Sequence, residues 1–459
     1  MEETIILYAS AVHLNSMSQL AKFISKHNPT LSVILLLSCG PEQAPPPISA
    51  AATAVTYRRL PSAALPPNFT TDPVELVFEI PRLNRQNLRK FLEDMISAKN
   101  IVIKAFIIDF FCDAAFEVTT SLKIPSYYYV SSGAFFASAL LYLPTIDEAY
   151  EDDIGDLNDF IQVPGCPPLH SSDFPDGMYF RKTVTYGNFM SAAKNMQVSN
   201  GVLVNSFDAL EFRAKEALSN GWCIPAGAPT ITPPPVYLLG PLIDGELVTN
   251  GGGVEENECL RWLHSQPGKS VIFLCFGRWG FFSGQQLKEM AIGLEESGHR
   301  FLWSVGGSSP GLEEVLPEGF LERTKERGLV VKSWAPQKEV LSHDSVAGFV
   351  THCGRSSVLE AISFGVPMIA WPLYAEQRMN RVFMVEEMKV ALPLEMAADG
   401  FVTAAELEKR VRELMESKMG RAVRHRVVEM QKSAQLAVSE SGSSLLALDK
   451  FIHQSVTRD

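Results

Sequence analysis

The stretch His352-Cys353-Gly354-Arg355-Ser356-Ser357 sets an imidazole, two hydroxyls and a guanidinium almost side by side. It follows the apolar run Ala347 to Thr351 and opens a helical pattern that extends toward Gly365. A helix N-terminus carries unpaired backbone N–H groups and a partial positive charge, so it attracts anions. A neutral ligand does not need this set of groups; a phosphorylated ligand with a further carboxylate would use all of it. Trp334-Ala335-Pro336-Gln337 precedes the stretch and Glu376-Gln377 follows it, each just after an apolar run, Leu329 to Lys332 and Val366 to Ala370. An indole face can stack a base. A carboxylate such as Glu360 can hold both hydroxyls of a ribose, and Glu376 with Gln377 offers acceptors and donors to sugar hydroxyls.

Each residue also has an ordinary structural role open to it. Ser357 with Glu360 fits a capping box that would serve only the helix. Trp334 could be core, His352 a buried histidine satisfied by its neighbours, Glu376 a surface charge and Arg355 a solvated one. Taken together at strand ends around one helix N-terminus, they favour a ligand.

The elements that must position these groups alternate strand and helix. Thr4 to Ala9, Leu31 to Leu37 and Ile101 to Ile108 are apolar enough for buried strands, and Met17, Leu20, Ala21 and Ile24 recur at helical spacing. Phe116 to Leu122 begins a further alternation, and Gly133 to Leu143 is the length of a core helix rather than a membrane span. Gly240-Pro241 punctuates the chain and Asn250-Gly251-Gly252-Gly253 has linker composition. Beyond it, Val271 to Phe276 is a strand, Gly277-Arg278-Trp279-Gly280 a tight turn, Ser283 with Gln286 a capping box, and Gly298 a helix stop before the strand Arg300 to Val305. The expected fold is α/β with two doubly wound units facing a cleft at the carboxyl ends of their strands. We expect a first domain at 1–240, a linker at 241–257, a second domain at 258–440 and a final helix at 441–459.

Composition narrows the partners. The chain of 459 residues has 46% hydrophobic and 20% charged residues, a globular balance for two domains. A formal charge of -12 argues against nucleic acid, so an anionic ligand must be gripped by local positive groups. The seven cysteines are scattered, which reads as reduced thiols in a cytoplasmic protein; the start carries no basic leader. Asn68-Phe69-Thr70 fits a glycosylation sequon by chance. The acidic run Glu151-Asp152-Asp153 with Asp156 reads as a solvated loop and fits no metal motif, and a monomer is expected.

From Trp334 to Gln377 the chain resembles the signature box of plant UDP-dependent glycosyltransferases: W-A-P-Q-K-E-V-L-S-H, then F-V-T-H-C-G-R-S-S-V-L-E, then F-G-V-P-M-I-A-W-P-L-Y-A-E-Q. Ile108-Asp109-Phe110-Phe111-Cys112, Val204-Asn205-Ser206-Phe207 and Phe273-Leu274-Cys275-Phe276-Gly277 extend the resemblance over the whole chain. It implies the GT-B fold and an inverting, metal-independent transfer of a sugar from UDP to a small aromatic acceptor, with no cofactor. By the same resemblance Trp334 stacks on uracil and Gln337 lies near the nucleoside. His352 and Ser357 contact the diphosphate, Glu360 the ribose, and Glu376 with Gln377 the sugar hydroxyls, while Ala335, Gly354, Ser356 and Tyr374 are further UDP-sugar contacts. The helix around Leu445 to Gln454 is expected to return to the first domain. Three places depart from the family. Its usual Gly-Trp-Asn-Ser reads Gly354-Arg355-Ser356-Ser357, and its usual Gly-Ser reads Gly277-Arg278. The glycine-rich turn before the first-domain histidine is reduced to Ser10-Ala11-Val12-His13.

Transfer to a hydroxyl needs a base. His13 just after the first strand suits it, because histidine titrates near working pH. Asp109 ends a strand of the same sheet, and a carboxylate on the far imidazole nitrogen fixes the tautomer. Position alone leaves both open to structural roles; the resemblance aligns them with the family's His–Asp dyad. For the donor, Arg355 resembles the arginine that plant flavonoid 7-O-glucuronosyltransferases carry in place of tryptophan. UDP-glucuronate is therefore expected, its carboxylate gripped by Arg355, with Arg278 and Ser131 as further contacts. Tyr127 to Tyr129, Phe135, Phe136, Tyr179 and Phe180 offer aromatic surface, most of it core, for a flavonoid-like phenol. The alternatives are UDP-glucose as donor, a ligand-binding relative without catalysis, and a serine hydrolase built on Gly307-Ser308-Ser309-Pro310-Gly311.

Overall fold

Runs of Ile, Val, Leu and Phe too short for helices and bounded by Gly, Pro or Ser become strands buried on both faces, while the amphipathic stretches between them become the covering helices. The structure, a computed structural model, describes residues 2–38, 55–66, 69–98, 100–225, 232–243, 257–277, 279–306, 312–332 and 335–456. Asn68, the stretch Asn250–Gly253, Arg278, the segment Gly307–Gly311 and Trp334 lie outside the described residues.

The chain divides into two units, Met1–Asp244 with Leu436–Asp459, and Gly245–Gln435. In the first, the strands are β1 (Glu2–Ser10), β2 (Ser32–Ser38), β3 (Val55–Arg59), β4 (Ile101–Asp109), β5 (Ser126–Val130), the short antiparallel pair β6 (Phe160–Ile161) and β7 (Leu169–His170), β8 (Gly201–Val204) and β9 (Val236–Leu238). The main sheet runs β3-β2-β1-β4-β5-β8-β9 with every pairing parallel. Ile5, Leu7, Val33, Leu35, Ala105 and Ile107 form its buried centre with Met17, Leu20 and Ile24 of the helix Leu14–His27. The helix Ala134–Ala149, apolar nearly all round, is buried along most of its length.

The final helix, Ser443–Val456, belongs to this first unit. Leu445, Leu448 and Phe451 are part of the same core. Phe451 meets Tyr127 and Tyr237 edge-on, Ser444 Oγ donates to the Gly240 carbonyl, and Lys104 Nζ reaches the Val456 carbonyl at 2.7 Å.

In the second unit the strands are β10 (Val271–Cys275), β11 (Arg300–Ser304), β12 (Gly328–Val331), β13 (Val346–Thr351), β14 (Met368–Ala370) and β15 (Ala391–Pro393). Their order is β12-β11-β10-β13-β14-β15, again all parallel. The core gathers Ile272, Leu274, Phe301, Trp303, Val350 and Trp371 against Leu287, Met290 and Leu294 of the helix Gly284–Ser297. That helix stops at Gly298 with φ 71, as its sequence predicts. Its capping box is only half formed. Ser283 accepts from the Gln286 N–H, but the Gln286 side chain turns away and pairs with both backbone groups of Val402. The acidic loop is not wholly solvated either: Arg181 donates to the Glu151 carbonyl at 2.7 Å and lies 4.0 Å from the Asp153 carboxylate.

Both sheets reverse their strand order beside the first strand, between β1 and β4 in one unit and between β10 and β13 in the other. Chains leaving two neighbouring strands in opposite directions open a crevice at that point, where doubly wound proteins bind ligands.

Candidate active site

In the first unit, Tyr8 pairs with Ile108 across β1 and β4, so the two strands end together with Ser10 and Asp109 at their carboxyl ends. His13 follows at the start of the helix Leu14–His27 and does not spend its ring on capping it. Its Nδ1 lies 2.6 Å from Asp109 Oδ1. Asp109 is fully buried, and its Oδ2 accepts from the Ser10 N–H at 3.0 Å and from the Ser10 hydroxyl. Burial pushes the Asp109 carboxyl up, but the His13 ring and the Ser10 donors outweigh it and hold it below its ordinary value. An ionised Asp109 requires the His13 proton on Nδ1, which makes Nε2 the basic nitrogen of the neutral ring. Nε2 lies 3.4 Å from Ser131 Oγ.

Against the other face of His13 stands Phe111, with ring centroids 4.8 Å apart. Phe111 meets Phe78 and Phe110, which in turn meet Phe189, so an aromatic cluster adjoins the histidine. Tyr127, Tyr128, Tyr129, Phe135 and Phe136 are buried as core, whereas Phe180 is exposed.

In the second unit, Cys275 pairs with Thr351, so Gly277 and His352 leave the sheet side by side. A Cβ at Gly354 would stand 2.5 Å from His352 Nε2 and one at Gly277 2.9 Å from it, so both glycines are required by close approach. His352 is buried; desolvation lowers its pKa to about 4, with the Cys275 carbonyl pulling modestly the other way. It is neutral at pH 7, and its Nδ1 has no hydrogen-bond partner among the described residues.

The chain then passes through Cys353 at φ 65 and enters the helix Arg355–Ser363 with Gly354 as the capping residue. This rules out the alternative of a Ser357–Glu360 capping box: Ser357 sits inside the first turn, and no side chain caps the start of this helix. Ser357 and Glu360 instead share Gln337, whose Nε2 donates to Ser357 Oγ at 3.0 Å and to Glu360 Oε2 at 2.7 Å. Arg355 occupies the first helical position and is only 6% exposed, so it is not a solvated surface cation; Ser356 is exposed. Ala335 is buried just ahead of Gln337.

The loop after β14 closes the group. Gln377 is buried, and its Oε1 accepts from the N–H groups of Leu373 and Tyr374 at 2.9 and 3.0 Å. Glu376 is half-buried at the start of the helix Gln377–Val382. Tyr374 has its ring centroid 6.2 Å from that of His352. Asn380, which sequence reasoning missed, donates to the Cys353 carbonyl at 2.9 Å and lies 3.4 Å from Glu376 Oε1. Its position one helical turn after Glu376 was a usable signal. Ser10 and Phe111 were also missed as neighbours of the histidine, and only strand pairing and packing bring them there.

Two Rossmann-type sheets in one chain, each with its polar groups gathered where the strand order turns, are the build of GT-B glycosyltransferases. The family model for UDP-glucoronosyl and UDP-glucosyl transferase matches residues 255–434. The chain is 56% identical to baicalein 7-O-glucuronosyltransferase of Scutellaria baicalensis, over 96% of this chain and 100% of that protein. It is 44% identical to anthocyanidin 5,3-O-glucosyltransferase of a Rosa hybrid cultivar, over 97% and 96%. The solved structure of Phytolacca americana UGT2 complexed with UDP-2fluoro-glucose and pterostilbene superposes with a TM-score of 0.85 at 35% identity, covering 98% of this chain and 99% of that one. The chain belongs to the plant UDP-dependent glycosyltransferases of family 1. It is a UDP-glycosyltransferase of the flavonoid type, which replaces the hydrolase alternative. No helix among the described residues is long and apolar enough to cross a membrane.

Proposed function

We propose that this chain transfers glucuronic acid from UDP-glucuronate to the 7-hydroxyl of a flavonoid or similar phenol, with inversion and without a metal ion. The observation that carries the donor assignment is Arg355: a buried guanidinium at the first position of a helix. A cation there opposes the positive end of the helix dipole, so the position favours a nearby anion. The diphosphate supplies one and the sugar carboxylate a second, which arginine can grip through two hydrogen bonds. The 56% identical baicalein 7-O-glucuronosyltransferase supports the same donor and the 7-hydroxyl.

In this reading the N–H groups at the start of the helix Arg355–Ser363, the neutral His352 and the Ser357 hydroxyl bind the diphosphate as hydrogen-bond donors. Ser357 Oγ already accepts from Gln337, which leaves its own proton to donate. Glu360, oriented by Gln337, takes the ribose hydroxyls, while Trp334 and Ala335 serve the base. Glu376, Gln377 and Tyr374 take the sugar, and Arg278 and Ser131 assist. His13 Nε2 removes the acceptor proton as its oxygen attacks the anomeric carbon from the side opposite UDP. Asp109 stabilises the imidazolium that forms. The UDP leaves with the bonding pair, its charge spread over the donors named above. The half-buried Phe111, backed by the buried rings of Phe78 and Phe110, offers apolar surface to a planar phenol.

A charged hydrogen bond is worth roughly 1.5–3 kcal/mol, so Arg355 should discriminate donors by about ten- to a hundredfold. The test compares kcat/KM for UDP-glucuronate and UDP-glucose, with a flavone as acceptor, in the wild type and in Arg355→Trp. The wild type should favour UDP-glucuronate and the variant should move toward UDP-glucose; an unchanged ratio overturns the assignment. Transfer from UDP-glucose is the second reading, favoured by the 44% identical rose glucosyltransferase.

A further inference from the structure

We propose that Ser10 is a positioning residue for the His13–Asp109 pair, gripping with both its N–H and its hydroxyl the Asp109 oxygen that His13 does not use. The inference rests on the reading of His13 as the base and extends it to the turn that carries the base.

That turn is one of the three places in which this chain departs from its family. Only Ala11 and Val12 separate Ser10 from His13, and neither is a glycine. A turn this short needs another means of fixing its exit, and the Asp109 carboxylate provides it. Oδ2 takes the Ser10 N–H at 3.0 Å and the Ser10 hydroxyl, while Oδ1 takes His13 Nδ1 at 2.6 Å. One buried group thus anchors both ends of the turn. Ser10 and Asp109 are themselves fixed, because they finish neighbouring strands in register. The terminal torsion of an aspartate is broad and roughly two-fold, so the carboxylate plane is not set by its own side chain. Two donors converging on Oδ2 set it, and that setting aims Oδ1 at the imidazole.

The group acts through Asp109 and touches no reacting atom. Its loss should let the carboxylate turn, loosen the hold on Nδ1–H and stabilise the imidazolium less. The base then becomes weaker. Of the neighbouring groups, the Cys112 thiol is pushed well up by burial and by Asp109 and Asp113, and the Asp113 carboxylate accepts from Tyr128, Ser191 and Asn195 rather than from the pair.

The experiment measures kcat, KM and the pH profile of kcat/KM for the full chain carrying Ser10→Ala, Ser10→Thr, Asp109→Asn and the Ser10→Ala/Asp109→Asn double change. Ser10→Ala keeps the N–H and removes only the hydroxyl. It should lower kcat about tenfold, leave KM for the UDP-sugar within about twofold, and move the acid limb to lower pH by about half a unit. Ser10→Thr should restore both the rate and the limb. In the Asp109→Asn background, Ser10→Ala should cost nothing more. A merely structural role would reduce the amount of folded enzyme and leave the acid limb in place, and that result overturns the proposal. So does a wild-type rate and limb in Ser10→Ala, or a full additional loss in the double variant. If His13→Ala keeps its turnover, the base assignment itself falls. If His13→Ala is inactive while Ser10→Ala behaves as wild type, only the role of Ser10 falls.

Discussion

Two histidines at two strand ends are set to opposite tasks by their surroundings. His13 has a buried carboxylate on Nδ1 and is half-buried, so its ring can gain a proton and keep a partner. His352 is enclosed between two glycines and is held neutral, with a pKa of about 4. Replacing His13 with Ala should lower kcat by about a hundred- to ten-thousandfold while donor binding, measured by calorimetry with UDP, stays close to wild type. For His352 the consequence is in stability. Its folded pKa lies below the ordinary 6.5, so the unfolded chain binds more protons between those values. The associated stability is full above pH 6.5 and is lost as pH falls toward 4, by up to about 3 kcal/mol. Urea midpoints of the wild type and of His352→Gln across that window should converge at low pH; parallel curves would refute the assignment.

At the scale of elements, the polar cluster of the second unit is a matter of how closely chain segments approach. The turn after β10 and the turn after β13 meet at His352 with no room for a side chain on either glycine. Gly354→Ala should therefore displace the imidazole and cost about 1–3 kcal/mol through overpacking. The expected readout is a lower melting temperature with a raised KM for the UDP-sugar and a smaller change in KM for the acceptor. Asn380 ties the left-handed Cys353 to the helix that begins at Gln377. Asn380→Ala should leave the Cys353 carbonyl unpaired and raise the same KM, which steady-state kinetics would register. The final helix is the corresponding case in the first unit, since its side chains complete a core formed by residues at the other end of the chain.

At the scale of the molecule, this makes the first unit discontinuous: its sheet is made from the beginning of the chain and finished by the last helix. A chain ending at Gly442 would lose Leu445, Leu448 and Phe451 from that core. At about 1.5–3 kcal/mol for each buried side chain, the loss rivals the whole stability of a domain. Such a chain should show a first unit that melts early or fails to fold, followed by circular dichroism and by loss of turnover. The overall charge of -12 sets the other global condition. In the proposed reading, an anionic donor has to be held by local groups against the field of the whole protein, and the helix N-terminus at Arg355 and that buried arginine are the groups it assigns to the task.

Much of this was readable in the residues. The apolar runs marked the strands, their alternation marked two doubly wound units, and His352 to Ser357 marked the passage from a strand end into a helix start. The sheet orders show why those marks were informative: both polar clusters fall at reversal points, where backbone groups at strand ends face outward. The amino-acid order could not separate Ser357 and Glu360 as a capping box from Ser357 and Glu360 as partners of Gln337. The two arrangements use the same side chains, and only the position of the helix start at Arg355 distinguishes them. Nor could it join Ser10 to Asp109, nearly a hundred residues apart. Local sequence determines which segments become strands and which residues their ends carry, because propensity and periodicity act over a few residues. Which ends meet is decided by the parallel register of β1 with β4 and of β10 with β13, a non-local pairing that exists only once each sheet has closed around its core.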